Sequence, residues 1–169
     1  MIMEFNELKK ALAKEAKAAG ICKEWHKYII EANSKERLLT LFYAGLDFVI
    51  SNDYPSKRLR DEFSGTRQAY GIFDDGDVFS RRNPRNILAY SGAVGAVSYD
   101  GYTVGQLWAR AGSKITVRAS ANAYVSIDMV EGANVKIEAS GKARVSVFLH
   151  GGTLEHREQE EATVTIKNE

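Results

Sequence analysis

Between Ser113 and Val147 the chain returns to the same pattern every ten residues. Ser113-Ile115-Val117, Ala123-Val125-Ile127, Ala133-Val135-Ile137 and Ala143-Val145-Val147 each set a small residue before two branched aliphatics. Mostly polar residues (Thr116, Ser126, Lys136, Ser146) stand between the aliphatics. A period of two belongs to a strand with one buried face. A fixed return length marks a repeat architecture, in which one unit cannot cover its own apolar face and stacks on the next. A weaker copy, Ala162-Val164-Ile166, follows a polar interruption that holds His150-Gly151-Gly152 and the acidic run Glu155, Glu158, Glu160, Glu161.

Two architectures accommodate this unit. In a β-solenoid each unit is one side of a flattened coil, with about twenty residues per coil and like residues stacked on like. In an antiparallel β-meander Val117 would face Val125 across a turn at Ala121, with later turns near Gly132 and Gly141. The unchanging small-large-large order favours the solenoid, because Ala123, Ala133 and Ala143 would then fill one tight corner; the meander is the alternative. In both cases the last strand leaves a free edge, and free edges are covered or charged. The Glu-rich segment with Lys167, or a second copy of the chain, would do this.

The chain before the ladder reads as helical up to about residue 65. Phe5, Leu8, Leu12 and Ala16 recur at helical spacing, and Gly20 is the expected stop. A second helix spans about Cys22 to Ala32. Ser34 caps a third that runs to Ile50 along Leu38, Leu39, Phe42, Leu46 and Val49. The Tyr54-Pro55 pair breaks it, and a short fourth helix carries Leu59 and Phe63. From Thr66 the pattern turns to strands. Gly71 to Phe79 reads as a hairpin around Asp75-Gly76, and Ser80 to Arg85 as a polar loop. Ile87–Tyr90, Ala96–Tyr99 and Tyr102–Val104 follow as strands, with Leu107-Trp108 of open register. The expectation is an α+β chain: a helical module over 1–65 and a β-rich repeat domain over 66–169.

The net charge of +1 offers no general attraction to nucleic acid or to an anionic membrane surface. Cys22 is the one cysteine, so no internal disulfide can form. The opening residues lack the basic and apolar regions of a signal peptide, and no apolar run reaches the roughly 18 residues of a membrane span. A cytoplasmic protein is expected, with no membrane and no nucleic acid among its partners.

Catalytic patterns are missing. No serine sits in a Gly-x-Ser-x-Gly elbow, no glycine-rich phosphate loop opens a helix, and His26, His150 and His156 lack zinc spacing. Asp74, Asp75 and Asp77 around Gly76 lack the distal glutamate of a calcium loop and read as a solvated turn. No catalytic residue, metal or cofactor is assigned. The candidate ligand-binding residues are Arg81, Arg82 and Arg85. Their planar forks suit phosphate or carboxylate, unless the aspartates of the preceding turn neutralise them.

With these residues in view, the Ala-x-Val-x-Ile rungs resemble those of short-repeat β-solenoids of the adhesin-type and bactofilin-like kind. That resemblance covers the last third of the chain. The first seventy residues, with Gly20-Ile21-Cys22-Lys23-Glu24-Trp25 and Asn52-Asp53-Tyr54-Pro55-Ser56, are similar to an uncharacterised family of gut Bacteroidetes and their phages or mobile elements. No activity and no functional residues come with either resemblance. The absent catalytic patterns and the free edge of the ladder, with the setting that the second resemblance implies, lead to the expectation of a non-catalytic binding or assembly protein of a phage or mobile element, homo-oligomeric, with the repeat as a rigid self-association surface and the helices as a partner contact. One alternative is a protein that sequesters a small anionic ligand such as a nucleotide signal. Another is a carbohydrate-active enzyme, although solenoid enzymes of that kind have longer coils.

Overall fold

A computed structural model describes residues 2–130 and 132–168. It divides between Tyr70 and Gly71 into a helical unit and a β unit. A 3-10 turn over Arg67–Tyr70 carries the helical unit past the expected boundary at residue 65. Among the described residues no helix is long and apolar enough to cross a membrane.

The helical unit holds α1 (Phe5–Ala18), α2 (Lys23–Glu31), α3 (Lys35–Ala44), α4 (Leu46–Ser51) and α5 (Lys57–Asp61). In α1 the residues Leu8, Leu12, Ala13 and Ala16 are buried along one stripe. The helix ends as its glycine requires. Gly20 takes φ +91, its N–H donates to Lys17 O, and the Ile21 N–H donates to Ala16 O. This pair of bonds satisfies carbonyls that would otherwise be orphaned at a helix end. Ser34 caps α3 by accepting from the Arg37 N–H at 3.1 Å. The single helix expected from Ser34 to Ile50 is instead two, broken at Gly45. Trp25 packs there: a Cβ on Gly45 would lie 3.5 Å from its ring. Tyr54 ties the unit together, with its ring edge-on to Phe42 and Phe48 and its hydroxyl donating to Leu12 O at 3.0 Å.

The β unit contains β1 (Ile72–Phe73), β2 (Val78–Arg82), β3 (Asn86–Ala89), β4 (Val94–Tyr99), β5 (Val104–Ala109), β6 (Lys114–Ala119), β7 (Tyr124–Met129), β8 (Asn134–Ala139), β9 (Arg144–Leu149), β10 (Thr153–Glu158) and β11 (Thr163–Asn168). The strands form two sheets, ordered β1-β3-β5-β7-β9-β11 and β10-β8-β6-β4-β2. Every pairing is parallel. Odd and even strands therefore alternate between two walls, and the β unit is a β-solenoid of about five turns. The meander is excluded: Val117 pairs with Val97 and Ile137, and Val125 with Gly105 and Val145.

Stacking of like on like follows from this register. Leu107, Ile127, Val147 and Ile166 form one inward column. Val97, Val117, Ile137 and then His156 form another. Each fully buried aliphatic of this kind contributes roughly 1.5–3 kcal/mol before chain entropy is counted. The small residues occupy corners, though on two opposite sides rather than one, because successive ten-residue units belong to different sheets. Ala123 and Ala143 close turns by donating to Ser120 O and Ser140 O, while Ala133 closes one on Val130 O. Ser113 replaces alanine in the second set, and its buried hydroxyl donates to Arg110 O.

Three further expectations are corrected. Gly71 to Phe79 is not a hairpin: β1 pairs with β3 and β2 with β4, in different sheets, so the Asp74–Asp77 segment turns a corner of the coil. There the Asp77 N–H donates to Asp74 O, and the Asp74 N–H to the Asp77 carboxylate. Ser80, Arg81 and Arg82 belong to strand β2 and not to a loop. Tyr102 and Thr103 lie in a turn, and the strand begins at Val104, with Leu107 and Trp108 in register with Ile127 and Asp128.

Candidate binding surface

Among the described residues β10 and β11 are each the outermost strand of their sheet. The polar interruption of the sequence is thus itself a rung of the ladder. Leu154 stacks on Val135, His156 on Ile137 and Glu158 on Ala139. These are interior positions, yet among the described residues the coil of β10 and β11 has a neighbouring coil on one side only. Two of its inward polar residues meet, with His156 Nδ1 at 2.8 Å from Glu158 Oε1. On the other wall Val164 stacks on Val145 and Ile166 on Val147. Leu154, Ala162, Val164 and Ile166 pack against the core but are only partly buried.

The backbone of this coil is half used. The Thr153 N–H donates to Ala133 O and the Gln159 N–H to Ala139 O. Residues of a parallel strand alternate in the side to which they bond. The amides and carbonyls of Leu154, His156 and Glu158 therefore point to the free edge. By the same phase, with the Thr163 N–H on Ala143 O, those of Val164 and Ile166 do so in β11. Such a row is a template for another strand.

The arginines expected to share one loop are separated by strand geometry. Arg81 pairs in register with the inward Val97 and Arg82 with the outward Ser98, so their side chains leave opposite faces. Arg81 lies over the Phe73 ring, 5.2 Å from its centroid. Arg82 reaches Asp100 at 2.8 Å, joined there by the Asn83 amide at 2.9 Å. Hydrogen bonds from Asn83 and then from Arg82 hold the Asp100 carboxyl below the usual carboxylate range. Arg85 is exposed at the next corner, where its carbonyl accepts from the Gln106 N–H. Arg82 finds its anion in Asp100, a turn residue the spacing of the sequence did not connect with it.

No protein family, curated protein or solved structure matches this chain.

Two other surfaces are shaped for contact. In the helical unit a cleft of about 450 Å³ is walled by Trp25, Leu38, Phe42, Phe48 and Tyr54, and Asp47 is the charged residue of its lining. On the odd-strand wall Val104 and Tyr124 are register neighbours, 61% and 42% exposed, beside the corner residue Tyr102 at 86%. These stand at positions that alternation marks as outward. Outward apolar residues were the available signal for this patch. Among the described residues no cluster of His, Cys, Asp and Glu could hold a metal ion.

Proposed function

We propose that this chain is a non-catalytic, cytoplasmic assembly protein, with the β-solenoid as a rigid body that joins copies through its open end. The observation that carries this reading is the last coil. Two parallel strands leave their outer backbone groups unpaired, above apolar side chains that the coil only half covers. A second protein surface would complete both the hydrogen bonding and the burial. Two walls of parallel strands give the end a fixed shape, which keeps the ordering cost of association low. In the helical unit, the apolar cleft suits a partner's apolar side chain. The setting in a phage or mobile element rests on the resemblance of the first seventy residues.

Sedimentation equilibrium and native mass spectrometry across the micromolar range test the proposal. A concentration-dependent oligomer is the expected result. A monomer at tens of micromolar would count against it.

A further inference from the structure

We propose that the last coil pairs tail to tail with the last coil of a second copy, about a two-fold axis near His156 and Thr165, setting Glu155 against Arg157 of that copy. The inference rests on the self-association reading above and specifies its surface, symmetry and register.

The geometry follows from three observations. First, a tight turn in which the Ala162 N–H donates to Gln159 O joins the two strands of the coil. Counted back equally along both strands from that turn, His156 and Thr165 lie level. An axis normal to the sheets that passes one therefore passes the other. Second, the free backbone groups belong to even-numbered residues in both strands. An antiparallel pairing about His156 opposes Leu154 to Glu158 and His156 to its own copy. A pairing about Thr165 opposes Val164 to Ile166. All of these are even-numbered, so each opposed pair can exchange N–H···O=C bonds.

Third, the side chains match under this operation. On the inner face Val164 meets Ile166 twice, which completes the half-covered column above Val145 and Val147. Leu154 meets Glu158, whose carboxylate His156 already engages. On the outer face Glu155 and Arg157, two residues apart on β10, each oppose the other's copy. Neither has a hydrogen-bond or ion-pair partner among the described residues, whereas the Arg118 and Glu138 pair in the same column is closed at 3.1 Å. A patch that supplies both members of an ion pair in the order that a two-fold reverses is self-complementary. That is the property of an isologous interface.

The test uses the full chain with Cys22→Ser to remove the native thiol. Thr165→Cys should form a disulfide-linked dimer under mild oxidation. Antiparallel pairs of this class hold their Cα atoms about 4.5 Å apart, within reach of a disulfide. Lys167→Cys should not, because its copy would lie roughly 13 Å away, at four residue steps along the strand. Separately, Glu155→Arg and Arg157→Glu should each weaken the dimer about tenfold or more, since each places like charges opposite at two sites. The double variant should restore it. Circular dichroism of the single variants, with a wild-type melt at low concentration, keeps a folding defect apart from a lost interface.

An oligomer that ignores both single charge changes and does not cross-link through position 165 would overturn the tail-to-tail pairing and leave the assembly reading standing. A monomeric protein would overturn both.

Discussion

The ring of Tyr99 fills the space in which Gly105 has no side chain. A Cβ at Gly105 would fall 2.1 Å from that ring, and one at Gly95 would fall 2.2 Å from Phe79. In the regular coils the positions of these glycines hold Ile115 and Val125, and the position of Tyr99 holds Ala119. The first coils thus fill with large aromatics the volume that the glycines leave open, and Phe79 also stacks on Phe73 of the other sheet, ring centroids 3.8 Å apart.

Gly105→Val should therefore destabilise the β unit by about 3 kcal/mol, the upper range for overpacking. Added to Tyr99→Ala, the same valine should raise stability, because the pair then matches the regular coil. A denaturant-melt double-mutant cycle measures this. Additive effects would mean that the two positions do not share one volume.

The Tyr99 hydroxyl is buried with no hydrogen-bond partner among the described residues. An orphaned polar group costs stability, so Tyr99→Phe should raise it by about 1 kcal/mol. Burial also pushes the Tyr99 phenol well above the usual 10.0, as burial and then the charge of Glu15 do for Tyr54. Both folded pKa values are raised, so the unfolded chain gives up these protons first. Stability should hold in full below about pH 10 and fall as pH rises above it. Thermal melts from pH 8 to 11 should show this fall, and Tyr99→Phe should make it shallower.

Ala121 sits at φ +54, in the corner column where Gly141 sits at φ +62. A side chain is strained in this left-handed region and glycine is not. Ala121→Gly should stabilise by about 1 kcal/mol. Gly141→Ala should destabilise by more than that, because its Cβ would also meet the Ala121 backbone nitrogen at 2.9 Å. Melting temperatures that moved together would contradict the assignment.

Val135 is 3% exposed inside the coil, and its neighbour Lys136 is on the outer face. Val135→Asp should cost about 4 kcal/mol or more, by burying a carboxylate with no partner. Lys136→Asp should stay within about 0.5 kcal/mol of wild type. Chemical denaturation separates the two.

The solenoid was legible where interior volume is filled one residue at a time. From Ser113 to Val147 a small corner residue and two branched aliphatics recur because each rung sees an identical neighbour above and below. The Gly20 stop and the Ser34 cap were legible for a similar reason: a helix end is a local problem, solved within a few residues. Elsewhere the solution is shared between rungs. Gly95 with Phe79 and Gly105 with Tyr99 satisfy the same volume in pairs, which erases the period before Ser113. Leu154, His156 and Glu158 occupy interior columns but face solvent on one side, so polar residues are tolerated and the rung reads as a polar interruption of the ladder. Arg82 and Asp100 lie eighteen positions apart and meet only because the coil brings the corners together. The sequence by itself determined the repeat, its inward face and the helical start of the chain, since these depend on the period of side chains along one strand or helix. Only the tertiary structure decided which strands pair, that Arg81 and Arg82 part to opposite faces, and that the acidic run lies on a rung of the ladder. Those outcomes depend on register between segments some twenty residues apart, and register is fixed by packing across rungs rather than by any residue within one.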